Sequence, residues 1–171
     1  MIYFNGFSLF GEEKLFENWL EKSDFCVTGF SFGAQKAVEL ALDSNQRIDK
    51  LQLFSPAFFN DKDLKFKRMQ MMFWNKNQAE YANNFLKNCA FPSGVNLLQF
   101  HKIGSTSELD SLLNYVWEES KLQRLIDRNI KIEVFLGGCD EIIDSNKAKK
   151  FFDQFAEVYF FKHAGHCLLE R

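Results

Sequence analysis

The sequence predicts an α/β fold, a mostly parallel sheet of about five strands with flanking helices and a helical insertion over the strand ends. Three observations lead there. Short β-branched or aromatic runs alternate with helical patterns along most of the chain. A serine flanked by glycines sits where one such run becomes a helix, in Cys26-Val27-Thr28-Gly29-Phe30-Ser31-Phe32-Gly33-Ala34. Between residues 58 and 129 the strand signals vanish, then return at Ile130.

Taken in order, residues 2–4 read as a buried strand, and Asn5-Gly6-Phe7-Ser8 is the turn that leaves it. Residues 12–21 read as a helix, with Leu15, Phe16, Trp19 and Leu20 on one side and acidic residues in the opening turn. A strand enters Ser31, and residues 34–42 form a mostly apolar helix. Residues 51–54 are the next strand, closed by Ser55-Pro56. The insertion, approximately 57–129, has one break, at Phe91-Pro92-Ser93-Gly94. The alternating strand 130–136 follows, then a helix over about 145–155 and a strand over 158–161. Between the Gly6 turn and Ser31 there is no room for an additional βα unit, so the amino-terminal edge of the sheet is trimmed.

The 171 residues are one domain's worth, and a composition 46% hydrophobic with 21 phenylalanines predicts an aromatic-rich core rather than disorder. A net charge of -2 argues against nucleic-acid binding. Cys26, Cys89, Cys139 and Cys167 show neither C-x-x-C pairing nor zinc-type spacing, which reads as core or near-site thiols in a reducing compartment. The first residues carry no secretory leader pattern and no run approaches ~20 apolar residues, so a cytoplasmic protein with no membrane partner is expected. A monomer is expected.

The serine context is that of the G-x-S-x-G nucleophile elbow, where the chain reverses so sharply that side chains at positions 29 and 33 would collide. Ser31 is the candidate nucleophile. It needs a base, because a serine at its own pKa attacks poorly near neutral pH. His166, in the loop after the last strand, supplies one. Asp140, just past the strand 130–136, is placed to hold that imidazole. The order Ser31, Asp140, His166 is the chain order of the α/β-hydrolase triad, and a parallel sheet brings all three to one edge. His163 is a rival base, disfavoured because it directly follows the strand whereas Gly165 gives His166 loop freedom. Asp144 is a rival acid, better read as the N-cap of the next helix. His101 reads as a surface or lid histidine.

An ester under attack develops an oxyanion, which two preset donors must meet. The Phe32 N–H, next after the nucleophile, is one candidate. The Phe7 N–H is the other. Gly6, Phe7 and Phe32 are expected to wall the substrate channel, joined from the insertion by Met69, Met72 and Phe73. Lys62, Lys65, Arg68 and Lys76 share one side of a helical projection and suit an acidic partner, against the plainer alternative of a solvated face. No metal or organic cofactor is required.

Gly29-Phe30-Ser31-Phe32-Gly33-Ala34, Phe54-Ser55-Pro56, Phe66-Lys67-Arg68-Met69-Gln70, His101-Lys102-Ile103-Gly104-Ser105 and Lys131-Ile132-Glu133-Val134-Phe135 together resemble the α/β-hydrolase superfamily. More closely, they resemble the short pimeloyl-acyl-carrier-protein methyl ester esterases of biotin synthesis. The resemblance implies a minimal α/β-hydrolase fold and removal of a methyl cap from a pimeloyl chain carried on acyl carrier protein. It gives Ser31, Asp140 and His166 the triad roles and sets the basic insertion residues against the acidic carrier. Asn5 stands where many relatives carry histidine, a departure at the oxyanion loop. A broad small-ester carboxylesterase or thioesterase, an acyltransferase with a non-water acceptor, and a binding protein that has lost turnover are the competing readings.

Overall fold

The computed structural model describes all 171 residues. Five strands, β1 (Ile2–Phe4), β2 (Cys26–Phe30), β3 (Lys50–Phe54), β4 (Lys131–Gly137) and β5 (Glu157–Phe161), lie in the order β1-β2-β3-β4-β5, all parallel. The helices are α1 (Phe32–Asp43), α2 (Leu64–Lys76), α3 (Gln78–Ala90), α4 (Thr106–Asn114), α5 (Glu119–Asp127) and α6 (Ser145–Phe152). None is long and apolar enough to cross a membrane.

Strand alternation sends Val27, Leu51, Leu53, Ile132, Val134 and Leu136 to one face, where they meet Ala37, Val38 and Ala41 of α1, Leu122 and Leu125 of α5, and Ala148 and Phe152 of α6 in one buried core. The other face carries Phe30, Phe54, Phe135 and Tyr159 in lateral register near the carboxyl ends of the strands. Phe16 stacks on Phe54 at 4.7 Å between centroids, Phe54 on Phe135 at 4.6 Å and Phe135 on Tyr159 at 4.8 Å. Leu86, Cys89, Leu97, Phe100, Cys167 and Leu168 complete this second core. Towards the amino ends, the same face bears Thr28, Gln52, Glu133 and Glu157 in register.

The crossovers through α1, α5 and α6 pass over the first face, whereas the link from β1 to β2 packs Phe16 onto the second. In a sheet of linear order, that first crossover has the opposite hand to the other three, a rarity among parallel connections. A link with no room for another βα unit produces it.

The expected helix at 12–21 is replaced by a 3₁₀ turn, Glu12–Phe16, followed by turns and irregular chain. Two side chains take what a helix would need. Gln52 donates to the Trp19 carbonyl at 2.9 Å and accepts from the Glu21 N–H at 2.9 Å, while the Glu12 carboxylate turns inward. The insertion also differs from a plain roof. Ala57, Phe58 and Phe59 at its start, and α5 at its end, belong to the first core, and the end of α3 with Leu97 and Phe100 walls the second. The Asn60 amide donates to the Trp117 carbonyl at 2.8 Å and accepts its N–H at 3.0 Å, closing the neck of what stands above the strands.

Candidate active site

β2 runs straight into α1 through Ser31, whose φ of 53° and ψ of -112° are a strained conformation for a residue with a side chain. The flanking glycines make the turn possible. A Cβ on Gly29 would lie 2.2 Å from the Gly33 carbonyl oxygen, and one on Gly33 would lie 2.0 Å from the Phe4 oxygen. The elbow thus abuts the end of β1 and the loop that leaves it.

The Ser31 hydroxyl lies 3.0 Å from His166 Nε2, and His166 Nδ1 lies 2.7 Å from Asp140 Oδ2. A carboxylate only accepts, so Nδ1 carries the proton and Nε2 is left to accept from the serine. Asp140 is held in turn. Its Oδ1 accepts the N–H groups of Ile142 at 2.7 Å and Ile143 at 3.1 Å, in the turn after β4. All three groups are withdrawn from solvent: Ser31 is 1% exposed, and the His166 and Asp140 side chains are fully buried. Of the rival residues, Asp144 caps α6 by accepting the Lys147 N–H at 3.1 Å, while His163 and His101 are exposed.

Gly165 serves His166 through space rather than through loop freedom. A Cβ there would lie 1.7 Å from the Phe91 carbonyl oxygen, so the histidine loop packs directly on the turn that ends α3. The Phe30 ring, 5.0 Å from the imidazole, supports its other side.

The Phe32 and Phe7 N–H groups donate to no protein acceptor, whereas the Ser31 N–H is committed to the Phe54 carbonyl at 2.9 Å. Phe7 also lines a cavity of about 290 Å³, together with Phe59, Phe66, Phe85, Leu109, Leu112 and Leu113 and with Lys62, Gln70, Asn88 and Glu141 as polar elements, while Ser31, Asp140 and His166 do not line it. Gly6 and Phe32 are buried but do not line it. Met69, Met72 and Phe73, expected at the channel, are 40%, 58% and 44% exposed on the outside of α2. Helical phase explains the correction: Phe66 and Gln70 point into the cavity and Trp74, one turn on, into the core, which turns residues 69, 72 and 73 outward.

Lys65, Arg68 and Lys76 are exposed and form no ion pair. Lys62 departs from the expected basic row. It precedes the N-cap Asp63, pairs with Asp61 at 3.1 Å and lines the cavity. The four thiols are unpaired, and burial pushes those of Cys89 and Cys167 well up, leaving them protonated.

Several supporting residues had no signature in the sequence. Glu12 holds the Gly6 N–H at 2.7 Å, Asn5 Oδ1 accepts the Gly11 N–H at 2.9 Å, and Gln35 donates to the carbonyls of Ala57 at 3.0 Å and Leu112 at 3.1 Å. Gln35 acts on carbonyls brought near by tertiary folding, and Glu12 and Asn5 act across one irregular loop six residues wide, neither of which a periodic pattern encodes.

Together, the sheet, elbow and flanking helices define an α/β-hydrolase fold in minimal form. Among solved structures it is similar to an esterase from Exiguobacterium antarcticum, with a TM-score of 0.64 and 16% identity over 81% of this chain. The chain spans 58% of that esterase and covers comparable fractions of other carboxylesterases. It is similar over more of its length to BioG from Haemophilus influenzae, with a TM-score of 0.62 and 12% identity, covering 97% of this chain and 87% of that one. MenH from S. aureus gives 0.58 and 13%, covering 96% and 84%. No protein-family model and no curated protein matches the sequence.

Proposed function

We propose that this chain is a serine carboxylesterase that hydrolyses the methyl ester of a pimeloyl chain carried on acyl carrier protein, releasing methanol. The observation that carries the esterase reading is the buried chain of hydrogen bonds from Ser31 through His166 to Asp140. In this reading Ser31 Oγ attacks the ester carbonyl as His166 Nε2 takes its proton. The oxyanion is met by the Phe32 and Phe7 N–H groups. His166 then returns the proton to the departing methoxy oxygen, and water attacks the acyl-enzyme by the same route. Asp140 keeps the imidazole in the required tautomer throughout.

The finer part of the reading draws on the cavity and on α2. A volume of about 290 Å³ falls just short of the roughly 300–1,000 Å³ of drug-sized sites, and its apolar wall suits a short acyl chain. Lys65, Arg68 and Lys76 offer unpaired positive charge to an acidic carrier, with exposed Met69 and Met72 among them. BioG and MenH, similar over most of this chain, match its length more nearly than the larger carboxylesterases do. Purified protein is expected to release methanol from methyl-pimeloyl carrier protein, with Ser31→Ala abolishing release. Equal rates on carrier-bound and free methyl ester would defeat the carrier-specific part and leave a broad esterase. Reversing charge at Lys65 and Arg68 is expected to slow carrier-bound turnover and spare small aryl esters.

A further inference from the structure

We propose that Glu12 is a positioning residue that fixes the oxyanion loop, taking the Gly6 amide hydrogen so that the adjoining Phe7 N–H is presented to the oxygen under attack. This rests on the esterase reading above and on Phe7 as the second donor. Glu12 is fully buried, and its Oε1 accepts the Gly6 N–H at 2.7 Å and the Tyr3 hydroxyl at 3.4 Å. No cation pairs with it, and its Oε2 has no partner at all. A carboxylate in that condition works against stability. What it supplies in return is an acceptor for the Gly6 N–H at the start of a loop whose later part is held by the Phe10 N–H on the Phe100 carbonyl at 2.8 Å and the Lys102 N–H on the Ser8 carbonyl at 3.1 Å.

The loop is tied by two adjacent residues to two adjacent residues: Asn5 to the Gly11 N–H at 2.9 Å, and Gly6 to Glu12. Gly6 also fits against Phe30, since a Cβ there would lie 2.9 Å from that ring, and Phe30 packs on His166. Glu12 therefore sets the loop in register with the base as well as with the elbow. Burial raises its pKa, with Glu13 and the Tyr3 phenol facing it and the Cys167 thiol close by. A neutral acceptor would do the same work, so reach rather than charge is what the loop requires.

The test compares wild type, Glu12→Gln, Glu12→Asp and Ser31→Ala on p-nitrophenyl butyrate, with the Gly6 amide followed by NMR hydrogen exchange. Glu12→Gln keeps the acceptor and is expected to hold kcat within about twofold with the Gly6 amide protected. Glu12→Asp, one methylene short, is expected to lower kcat by roughly 10- to 100-fold, a share of the loss that follows removal of an oxyanion donor, with KM within about threefold. Glu12→Asp at wild-type kcat, or a loss carried wholly in KM, overturns the proposal. Should Glu12→Asp not fold, full kcat in a Glu12→Gln protein whose Gly6 amide exchanges freely overturns it equally. Turnover indifferent to Ser31→Ala removes the esterase reading itself.

Discussion

The two faces of the sheet solve the same burial problem differently. On one, α1, α5 and α6 cover aliphatic side chains in the ordinary way of an α/β layer. On the other, where the trimmed β1–β2 link leaves only a 3₁₀ turn, the strands provide much of the cover themselves, as an aromatic ladder above and a ladder of polar and charged groups below. The difference teaches where the chemistry draws its support. Both faces supply stability, and the aromatic face in addition holds Phe30, the His166 loop and the Gly6 loop against one another.

The sharpest way to break this contrast is at Gly165. Gly165→Ala places a methyl group against the Phe91 carbonyl and is expected to move His166 away from Ser31, lowering kcat by ~10²–10⁴-fold, the range associated with a general base, while the helical face stays intact. Ester turnover beside far-ultraviolet circular dichroism reads both. Next in size is a matched pair in the middle of the sheet. Phe54→Ala is expected to cost ~3–5 kcal/mol and to reduce kcat of the remaining folded protein, whereas Leu53→Ala, facing the helices, costs ~2–5 kcal/mol and leaves that kcat unchanged. Urea unfolding with activity corrected for folded fraction separates them, and equal losses of kcat would erase the distinction between the faces.

Two buried carboxylates on the ladder side should respond to pH with opposite signs. For Glu133 burial pushes its pKa up, but Gln52, Lys131 and Lys50 outweigh burial and hold it below its ordinary 4.5. Its stabilisation is thus present above 4.5 and lost as pH falls through the native value. Glu133→Gln is expected to lower Tm at neutral pH by a few degrees, with the gap closing on acidification. Glu12 has its pKa raised, so the native state favours its protonated form and loses stability as pH climbs past 4.5. Glu12→Gln is expected to melt slightly above wild type at neutral pH and together with it in acid. Thermal melts across the acidic range check both, and gaps of the same sign would undo the assignment.

The elements that declared themselves in the sequence are those whose residue pattern matches their burial, apolar runs for strands covered on both faces and one apolar stripe for a helix. β2, β3 and β4 alternate or run apolar and sit centrally, and α1 opens where Gly29 and Gly33 demand an elbow. The residues Ser31, Asp140 and His166 were legible for the same reason, since parallel strands deliver their carboxyl ends to one rim. The 12–21 segment misled because its apolar spacing suits a helix as well as it suits packing on a phenylalanine ladder. Gln52 and Glu12, remote or turned inward, decide between those outcomes. At Met69, Met72 and Phe73 the helix was legible but its rotation was not, because apolar residues occur around most of α2 and only contact with Trp74's surroundings sets the phase.

The second core gathers its members from Leu9 to Leu168 and the first from Phe7 to Phe152, so each closes over nearly the whole chain. Distant closures are entropically the slower kind. In the esterase reading, recovery of turnover during refolding is expected to track the slowest phase and not to precede it.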